Sequence, residues 1–426
     1  MLDIRRLRAE PDAVKAALVK RDATLPDAVD DILSRDQARR EAIGEVNELK
    51  AQRNAASKQV GELKRAGEDA SHIIEQTRAL GQRIDELDEI VRDADGFIRH
   101  NLLLIPNEPH ERVPVGTEED NQVLSTWGEP ATFDFEPAPH WSIGEELGIL
   151  DLPRGSKISG SGFPVLVGRG AQLQRGLINF FLDLHTREHG YTEVRVPYLV
   201  NPDSMTGTGQ LPKFSEESYQ SERDDLWLVP TAEVPVTNLH RDELLNADDL
   251  PKRYTAYSPC FRREAGAAGK DTRGLLRVHQ FDKVELVRYE TPERSLEALE
   301  ELTREAETVL ERLGLHYRRL LLATGDLGQS GAMTYDLEVW SPGVEMWLEV
   351  SSCTTFTDYQ ARRSNIRFRR AQAEKPEFVH TLNGSALALP RVVAALLETY
   401  QEADGSVSLP EVLHPYVGTE RLTAAS

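Results

Sequence analysis

Residues 254–289 read YTAYSPCFRREAGAAGKDTRGLLRVHQFDKVELVRY. Two runs of strand-forming residues flank a segment rich in glycine and charge, a pattern typical of two antiparallel strands joined by a loop. Between residues 261 and 283 the hairpin carries more basic than acidic side chains, namely Arg262, Arg263, Lys270, Arg273, Arg277 and Lys283 against Glu264, Asp271 and Asp282. This local positive charge lies in a chain of 426 residues whose formal net charge is −21.

The side chains of this hairpin suit a nucleoside triphosphate. A rigid guanidinium plane pairs with two phosphate oxygens at once. Arg262 and Glu264 alternate on one face of the first strand, and Phe281 and Glu285 can share a face of the second. A base can then stack on Phe281, while Glu285 can accept a hydrogen bond from an ammonium or hydroxyl group. The alternative is a charged hairpin that faces solvent and binds nothing.

A second element, GSALALPR at residues 384–391, is predicted to open a helix. Arg391 comes near the start of this otherwise apolar helix, where a cation opposes the helix dipole. An anionic ligand at that helix end would remove the conflict. The alternative is that Gly384 and Ser385 only cap the helix. The central prediction is that Arg262 and Arg391 converge on one nucleotide at the surface of an antiparallel sheet.

Two shorter stretches can complete such a site. TAE at residues 231–233 offers a hydroxyl and a carboxylate, which a small polar amino acid requires, although the same residues commonly start a helix. EVSS at residues 349–352 puts the Glu349 carboxylate and the Ser352 hydroxyl three residues apart after a strand. These oxygens can hold Mg²⁺ together with phosphate oxygens, and a plain strand end is the alternative.

The amino-terminal part of the chain predicts a helical hairpin. No proline occurs between Pro26 and Pro106, and two runs of mostly apolar residues alternate spacings of four and three. That spacing is the seam of a coiled coil. Gly67 and the polar residues after it separate the runs, so we expect two antiparallel helices over about residues 27–100, preceded by a short helix over about residues 11–21. The seam residues are Ala42, Val46, Leu49, Arg53, Ala56, Val60 and Leu63, then Ile73, Thr77, Leu80, Ile84, Leu87, Val91, Ala94 and Ile98.

The same hairpin contains a basic stretch. Residues 50–65 have a net charge of +4, from Glu62 and the five basic residues Lys50, Arg53, Lys58, Lys64 and Arg65. A locally basic surface is what an acidic protein needs in order to bind nucleic-acid phosphates. The alternative is an ordinary solvated face of a coiled coil.

The remainder of the chain predicts one larger domain. Residues 107–130 are rich in proline, glycine and acid without periodicity, which predicts a linker. Helix patterns follow at 171–189 and after Pro292, and strand patterns at 192–196 and twice within 332–351. Most strand candidates pair as hairpins, so residues 131–426 are expected to form an α+β domain with a mainly antiparallel sheet flanked by helices.

Composition argues against several classes of protein. Cys260 and Cys353 are the only cysteines and neither lies in a CxxC pattern, so we expect no disulfide framework and no zinc site. The first residues lack the apolar core of a signal peptide, and no window approaches eighteen apolar residues. The expectation is a reduced, cytoplasmic protein without a membrane partner.

Taken together, these motifs resemble the bacterial-type seryl-tRNA synthetases, which are class II aminoacyl-tRNA synthetases. Residues 261–285 are similar to the second motif of that class, residues 384–391 to the third, and residues 171–197 to the first, which implies a homodimer interface. The resemblance spans the whole chain. It implies a class II synthetase-like sheet at 131–426, a linker at 107–130 and a tRNA-binding two-helix coiled-coil arm at 1–106.

The resemblance implies a ligase that uses ATP as a substrate. L-serine would be activated to seryl-adenylate and passed to the 3′ end of tRNA(Ser), with tRNA(Sec) as a second candidate. Mg²⁺ is implied and zinc is not, because the match is to the Thr-Ala-Glu form of the family.

The resemblance also assigns residues to these roles. Catalysis falls to Arg262, Arg391 and Glu264. ATP binding falls to Arg262, Arg263, Glu264, Val278, Phe281, Glu349, Val350, Ser351, Ser352 and Arg391. Serine binding falls to Thr231, Ala232, Glu233, Arg262, Glu285, Asn383 and Ser385. Glu349 and Ser352 would hold Mg²⁺, and tRNA would contact Lys50, Arg53, Lys58, Lys64 and Arg65.

Two rival functions are left by the sequence. One is an amino-acid-activating relative that loads a carrier protein, against which the intact arm argues. The other is a non-enzymatic coiled-coil adaptor, which accounts for the arm but leaves the arginines and glutamates of the hairpin unexplained.

Overall fold

The computed structural model describes residues 1–265 and 273–424. Contacts between Cα atoms divide the chain into two compact units, one from Leu2 to Pro106 and one from Asn107 onward. No helix in the described ranges is long and apolar enough to cross a membrane.

The first unit is a helical hairpin. Its helices are α1 (Ile4–Ala9), α2 (Pro11–Leu18), α3 (Leu25–Ala66) and α4 (Ser71–Leu104). Gly67 ends α3 with a φ of +75°, a left-handed conformation that glycine adopts without steric cost. Asp69 then accepts hydrogen bonds from the backbone and hydroxyl of Ser71, which opens α4. The predicted pair of long helices is confirmed, and α1 was not predicted.

The seam between α3 and α4 is packed most tightly over part of its length. Ala42, Val46, Ile84 and Leu87 form a buried cluster, with partly buried neighbours against it. Nearer to Gly67, the seam positions of both helices are only half-buried. The heptad pattern therefore predicts the pairing of the helices, while the depth of burial varies along them.

The second unit is built on an eight-stranded sheet with the order β1-β11-β12-β13-β16-β10-β9-β4. Neighbouring strands are antiparallel except for β4 and β9, which are parallel. The strands in chain order are β1 (Gln122–Trp127), β2 (Leu150–Asp151), β3 (Val165–Leu166), β4 (Thr192–Glu193), β5 (Leu199–Val200), β6 (Gln220–Ser221), β7 (Leu226–Leu228), β8 (Leu244–Asn246), β9 (Lys252–Phe261), β10 (Gln280–Glu290), β11 (Tyr317–Leu321), β12 (Met333–Ser341), β13 (Met346–Thr357), β14 (Arg367–Arg369), β15 (Glu377–Phe378), β16 (His380–Ala388), β17 (Val407–Ser408) and β18 (Arg421–Leu422).

Helices pack against both faces of this sheet. They are α5 (His140–Glu146), α6 (Leu152–Ser159), α7 (Arg169–Arg187), α8 (Pro202–Thr208), α9 (Glu233–Thr237), α10 (Ser295–Arg312), α11 (Tyr359–Ser364), α12 (Leu389–Thr399) and α13 (His414–Val417). One core cluster joins apolar residues of α7, α10 and α12 to alternate residues of the central strands, including Val284 and Leu286 of β10. Because side chains alternate along a strand, Lys283 and Glu285 face the opposite side. The predicted antiparallel α+β fold is confirmed.

Two local expectations about the site segments need correction. Gly384 and Ser385 do not cap a helix: they lie within β16, which is hydrogen-bonded to β10 and β13, and α12 begins only at Leu389. A Cβ on Gly384 would overlap Leu302, so the glycine serves close packing of α10 on the sheet. The EVSS stretch lies inside β13 rather than after a strand: it pairs with β12, and the strand continues to Thr357, pairing with β16 from Cys353 onward.

The segment predicted as a linker also contains regular structure. Residues 122–127 form β1, an edge strand that pairs with β11. All six of its side chains are exposed, so the strand shows no apolar alternation that a sequence pattern could reveal.

Candidate active site

A cleft of about 530 Å³ opens on the face of the sheet opposite α7 and α10. Side chains of β10, β13 and β16 form its floor. Its walls include residues from three segments, namely 208–218, 230–233 and 275–278. The predicted site residues that line it are Thr231, Glu233, Arg262, Glu264, Val278, Phe281, Glu349, Val350, Ser352, Asn383, Ser385 and Arg391. The structure therefore brings together segments that are more than a hundred residues apart in the chain.

Arg262 follows the last residue of β9 and is held beside an aromatic ring. Its Nε donates to the carbonyl of Pro230 at 3.4 Å, and its guanidinium carbon lies 5.3 Å from the centre of the Phe281 ring. Phe281 pairs with Cys260 in the adjacent strand, which fixes the ring at the start of β10. One arginine and one aromatic face therefore border the same space.

Arg391 approaches the cleft from the first turn of α12. Its Nε donates to the carbonyl of Leu276 at 3.2 Å, and its Nη1 donates to the carbonyl of Glu349 at 2.7 Å. The same nitrogen lies 3.4 Å from the Glu349 carboxylate. A cation at this helix end is thus held by two carbonyls and remains half-exposed at the cleft.

Glu285 lies beneath the cleft surface and accepts three hydrogen bonds. Its donors are Nζ of Lys283 at 2.5 Å, Nδ2 of Asn383 at 3.0 Å and Oγ1 of Thr231 at 3.3 Å. Only 1% of the Glu285 surface is exposed. A buried carboxylate with three donors keeps a fixed orientation.

Glu233 forms the other acidic wall of this pocket. Its Oε1 accepts a hydrogen bond from Nε2 of Gln360 at 2.7 Å, and Oε1 of Gln360 in turn accepts from Oγ1 of Thr381 at 2.8 Å. Burial raises the pKa of Glu233 to about 7, with a further contribution from the nearby Glu285 carboxylate. The pocket is therefore small, polar and acidic, which suits an ammonium group beside a hydroxyl group.

Glu349 and Ser352 share one face of β13 because of a β-bulge. Asp336 pairs with Ser352 and Glu338 pairs with Glu349, so Val350 is an extra residue without a partner in β12. In a regular strand, residues three apart would point to opposite faces. The bulge lets both oxygen-bearing side chains line the cleft.

This oxygen-rich face offers ligands of the kind that Mg²⁺ prefers. Oδ1 of Asp336, across from Ser352, has no hydrogen-bond partner among the described residues. Burial, with Glu349 nearby, raises the pKa of Asp336 well above its ordinary value. No three acidic, His or Cys side chains in the described ranges form a metal cage. The donors fit a Mg²⁺ ion that takes one or two ligands from the protein and the rest from phosphate and water.

Other predicted residues do not line the cleft. Arg263 is exposed and its backbone N–H donates to the carbonyl of Glu217. Ser351 is buried and donates to the carbonyl of Ser385 at 2.6 Å, and Ala232 is fully buried. Lys270, counted above among the basic residues of the hairpin, lies outside the described residues.

Several residues at the site were not assigned roles from the sequence. One of them, Arg277, forms an ion pair of 2.5 Å with Glu264, a residue that was assigned a role and has a φ of +52°. Arg277 and Lys283 appeared only as members of a basic patch, while Asp336 and Gln360 were missed. Gln360 carries no sequence signal, since it reaches Glu233 only through folding. Asp336 alternates with Glu338 in the YDLEVW strand pattern, which did not distinguish it from an ordinary polar face.

The basic residues of the arm lie on α3. Lys58, Lys64 and Arg65 are exposed, whereas Lys50 and Arg53 are half-buried. Lys50 lies 3.4 Å from Asp88 of α4, which neutralises part of its charge. The exposed positive charge is therefore concentrated toward the end of α3 that Gly67 closes.

Family models match both units of the chain. The model described as tRNA synthetase class II core domain (G, H, P, S and T) matches residues 213–400. The model described as seryl-tRNA synthetase N-terminal domain matches residues 1–109.

Individual proteins are similar over the full length. Serine–tRNA ligases of Gemmatimonas aurantiaca and of a Geobacillus species are 57% and 58% identical, each over 98% of this chain and 99% of the relative. The crystal structure of seryl-tRNA synthetase from Pyrococcus horikoshii complexed with ATP is 39% identical, with a TM-score of 0.94 over 100% of both chains. The cytoplasmic serine–tRNA ligase from Naegleria fowleri in complex with AMP is 28% identical, with a TM-score of 0.88 over 100% of this chain and 99% of that one. The chain thus belongs to the seryl-tRNA synthetases, within the class II aminoacyl-tRNA synthetases.

Proposed function

We propose that the protein is a serine–tRNA ligase that activates L-serine with ATP and transfers it to the 3′ end of tRNA(Ser). The observation that carries this proposal is the shared cleft of Arg262 and Arg391 beside the acidic pocket of Glu233 and Glu285. Family membership and the full-length serine–tRNA ligase relatives support the same reaction.

In the first step the serine carboxylate attacks the α-phosphorus of ATP, and pyrophosphate leaves. Arg262 is placed to hold the α-phosphate and the serine carboxylate together, while the adenine stacks on Phe281 near Glu264 and the backbone of Val278. Arg391, at the other side of the cleft, offsets charge on the leaving phosphates. Catalysis then depends on orientation and electrostatic stabilisation, without a side-chain nucleophile.

The acidic pocket selects the amino acid. We assign the serine ammonium and hydroxyl groups to Thr231, Glu233, Glu285, Asn383 and Ser385. These residues are almost fully buried, so a substrate that lacks the hydroxyl leaves a polar group of the pocket unpaired. That penalty disfavours alanine more strongly than a size difference would.

Mg²⁺ is part of the proposal. Bound by Glu349 and Ser352, it would neutralise phosphate charge and help to orient the triphosphate. Glu349 also lies against Arg391, so the carboxylate is positioned by the chain's own residues before nucleotide binds.

The second step is the transfer of serine to tRNA, which the helical arm would bind. In this step the ribose hydroxyl of the terminal adenosine of tRNA attacks the anhydride of seryl-adenylate and AMP leaves. We assign the tRNA contacts to Lys50, Arg53, Lys58, Lys64 and Arg65, because an RNA helix is recognised mainly through its backbone and shape. A homodimer, formed along the first class II motif at 171–197, a cytoplasmic location and tRNA(Sec) as a second substrate complete the proposal.

One experiment tests ligand and partner together. The full chain is assayed for pyrophosphate exchange and for aminoacylation of bulk tRNA with each proteinogenic amino acid in turn. Serine alone should support both reactions. Exchange without transfer to tRNA would favour a carrier-loading enzyme, and failure to bind ATP would favour an adaptor.

A further inference from the structure

The histidine that begins α5 connects two parts of the nucleotide site and has no role in the reaction steps above. His140 is fully buried, and so is Glu398 near the end of α12. Their atoms Nδ1 and Oε1 are 2.7 Å apart. On its other side, Nε2 of His140 lies 3.0 Å from the backbone nitrogen of Leu275.

These contacts define the tautomer of the imidazole. The backbone N–H of Leu275 can only donate, so Nε2 must be the unprotonated acceptor. The proton therefore lies on Nδ1, which donates to Glu398. One ring thus links the segment after β9 to the helix that carries Arg391.

Glu398 is itself held rigidly. Besides the imidazole, it accepts from the backbone of His140 at 2.9 Å and from Oγ of Ser341 at 2.5 Å. The backbone nitrogens of Gly343 and Val344 also donate to it, at 2.8 and 3.2 Å. A buried carboxylate with five donors is a fixed anchor for the ring.

The segment that His140 holds reaches the nucleotide site directly. Leu275 and Leu276 both line the cleft, and the carbonyl of Leu276 accepts the 3.2 Å hydrogen bond from Nε of Arg391. The contacts close a ring that runs from Glu398 to His140, Leu275, Leu276 and Arg391, and back along α12. Since Arg391 and Glu398 are seven residues apart, they lie about two turns apart on one side of that helix.

The backbone of this segment is packed tightly against the same ring. Gly274 has a φ of +65°, and a Cβ there would overlap Nε2 of His140 and lie 2.8 Å from Cε3 of Trp141. The guanidinium of Arg273 lies over the Trp141 ring, 4.6 Å from its centre. Residues 140 and 141 therefore form the surface on which residues 273–275 are placed.

We propose that His140, oriented by Glu398, is a positioning residue for ATP: it holds the Leu275–Leu276 backbone so that the Leu276 carbonyl directs Arg391 to the nucleotide. The inference rests on the proposed function, because it concerns how the same cleft binds ATP. The serine pocket makes none of these contacts. Loss of the His140–Leu275 hydrogen bond should therefore weaken ATP binding and leave serine binding intact.

Two substitutions separate the two bonds of the imidazole. In His140→Asn, the side-chain amide can occupy the position of Nδ1 and donate to Glu398, but the acceptor for Leu275 is lost. In His140→Gln, the side-chain oxygen can reach the position of Nε2 and accept from Leu275. Ser341→Ala is the matched control, since it removes one donor of Glu398 without touching the segment.

The test measures KM for ATP and for serine separately in pyrophosphate exchange, with thermal unfolding of each variant. Loss of one buried hydrogen bond corresponds to about a tenfold rise in KM for ATP in His140→Asn. We expect His140→Gln and Ser341→Ala to stay within about threefold of wild type, and KM for serine to change less than about twofold in every variant.

Three outcomes would overturn the proposal: equal effects of the Asn and Gln variants, a parallel rise in both KM values, or a Ser341→Ala effect as large as that of His140→Asn. If His140→Asn does not fold, Gly274→Ala displaces the same segment and should raise KM for ATP selectively; an unchanged ratio of the two KM values would then reject the idea. Absence of serine-dependent exchange in the wild-type protein would instead reject the proposed function.

Discussion

Nζ of Lys283 lies 2.5 Å from Oε2 of Glu285, and both side chains are almost fully buried at the base of the cleft. The lysine is the only cation in direct contact with this carboxylate among the described residues, and Glu233 brings a second negative group close by. Without the positive charge of Lys283, the carboxyl groups of Glu233 and Glu285 lie close together with no cation in direct contact with Glu285 among the described residues.

Lys283→Met should therefore damage the serine pocket. Breaking a buried ion pair by removing one partner costs about 3–5 kcal/mol, and Glu285 is expected to lose its fixed orientation. We expect the melting temperature to fall and KM for serine to rise about tenfold or more. Thermal unfolding and pyrophosphate exchange measure the two effects, and a stable variant with normal KM for serine would contradict this role.

Arg262→Ala should abolish serine-dependent pyrophosphate exchange while the fold persists. The side chain lies at the cleft surface and makes one long hydrogen bond, to the Pro230 carbonyl, so its removal costs little stability. Its loss removes the charge assigned to the α-phosphate. Arg223→Ala is the matched control, because Arg223 is exposed and outside the cleft. Near-normal exchange in Arg262→Ala would remove this arginine from the mechanism.

Glu233 should make stability depend on pH in a defined direction. Its pKa rises from 4.5 to about 7 on folding, so between these values the folded protein keeps a proton that the unfolded chain releases. The free energy of unfolding should therefore fall as pH rises from 4.5 to about 7.

Glu233→Gln removes this titration while keeping an acceptor for Gln360. The difference in stability between wild type and variant, followed by urea unfolding across the same range, should shift by up to about 3 kcal/mol. A difference that does not change with pH would show that Glu233 titrates normally.

Reversing the exposed charges of the arm should separate the two reaction steps. Lys58, Lys64 and Arg65 are exposed on α3, and their replacement by glutamate turns attraction for phosphate into repulsion. Aminoacylation should drop at least about tenfold and lose part of its salt dependence, whereas pyrophosphate exchange should be unchanged. Arg99→Glu, an exposed change near the end of α4, is the control for one charge reversal elsewhere on the arm, and it is compared with Lys64→Glu alone. Equal loss in both assays would indicate damage to the fold instead.

Gly384→Ala should destabilise the sheet. The added Cβ would overlap Leu302 and lie 2.9 Å from Sγ of Cys353, in a region without free space. Overpacking of this kind costs about 1–3 kcal/mol. Urea unfolding measures the loss, and an alanine variant of unchanged stability would show that the helix over this strand can shift.

Local patterns predicted the long helices and the antiparallel sheet because those features depend on residue spacing, and the family was predicted from the resemblance of the motifs. The heptad spacing predicted two long helices, and the strand alternation predicted that Phe281 and Glu285 share one face of β10. Residues that act through distant partners were not predictable. Gln360 reaches Glu233 across 127 positions of the chain, and His140 reaches Glu398 across 258. The expectation that residues 384–391 open a helix was wrong for residues 384–388, because they pair with two neighbouring strands and the helix begins only at Leu389.

The bulge at Val350 means that the position of the Glu349 carboxylate depends on how many residues β13 contains, as well as on which residues they are. Any side chain of similar volume at that position would keep the offset. Deleting the residue would bring the two ladders into phase and turn Glu349 through half a rotation, toward the packed interior and away from Arg391. Loss of that one codon would thus move the Glu349 carboxylate out of the cleft, although Arg262, Glu264 and Arg391 were all still present.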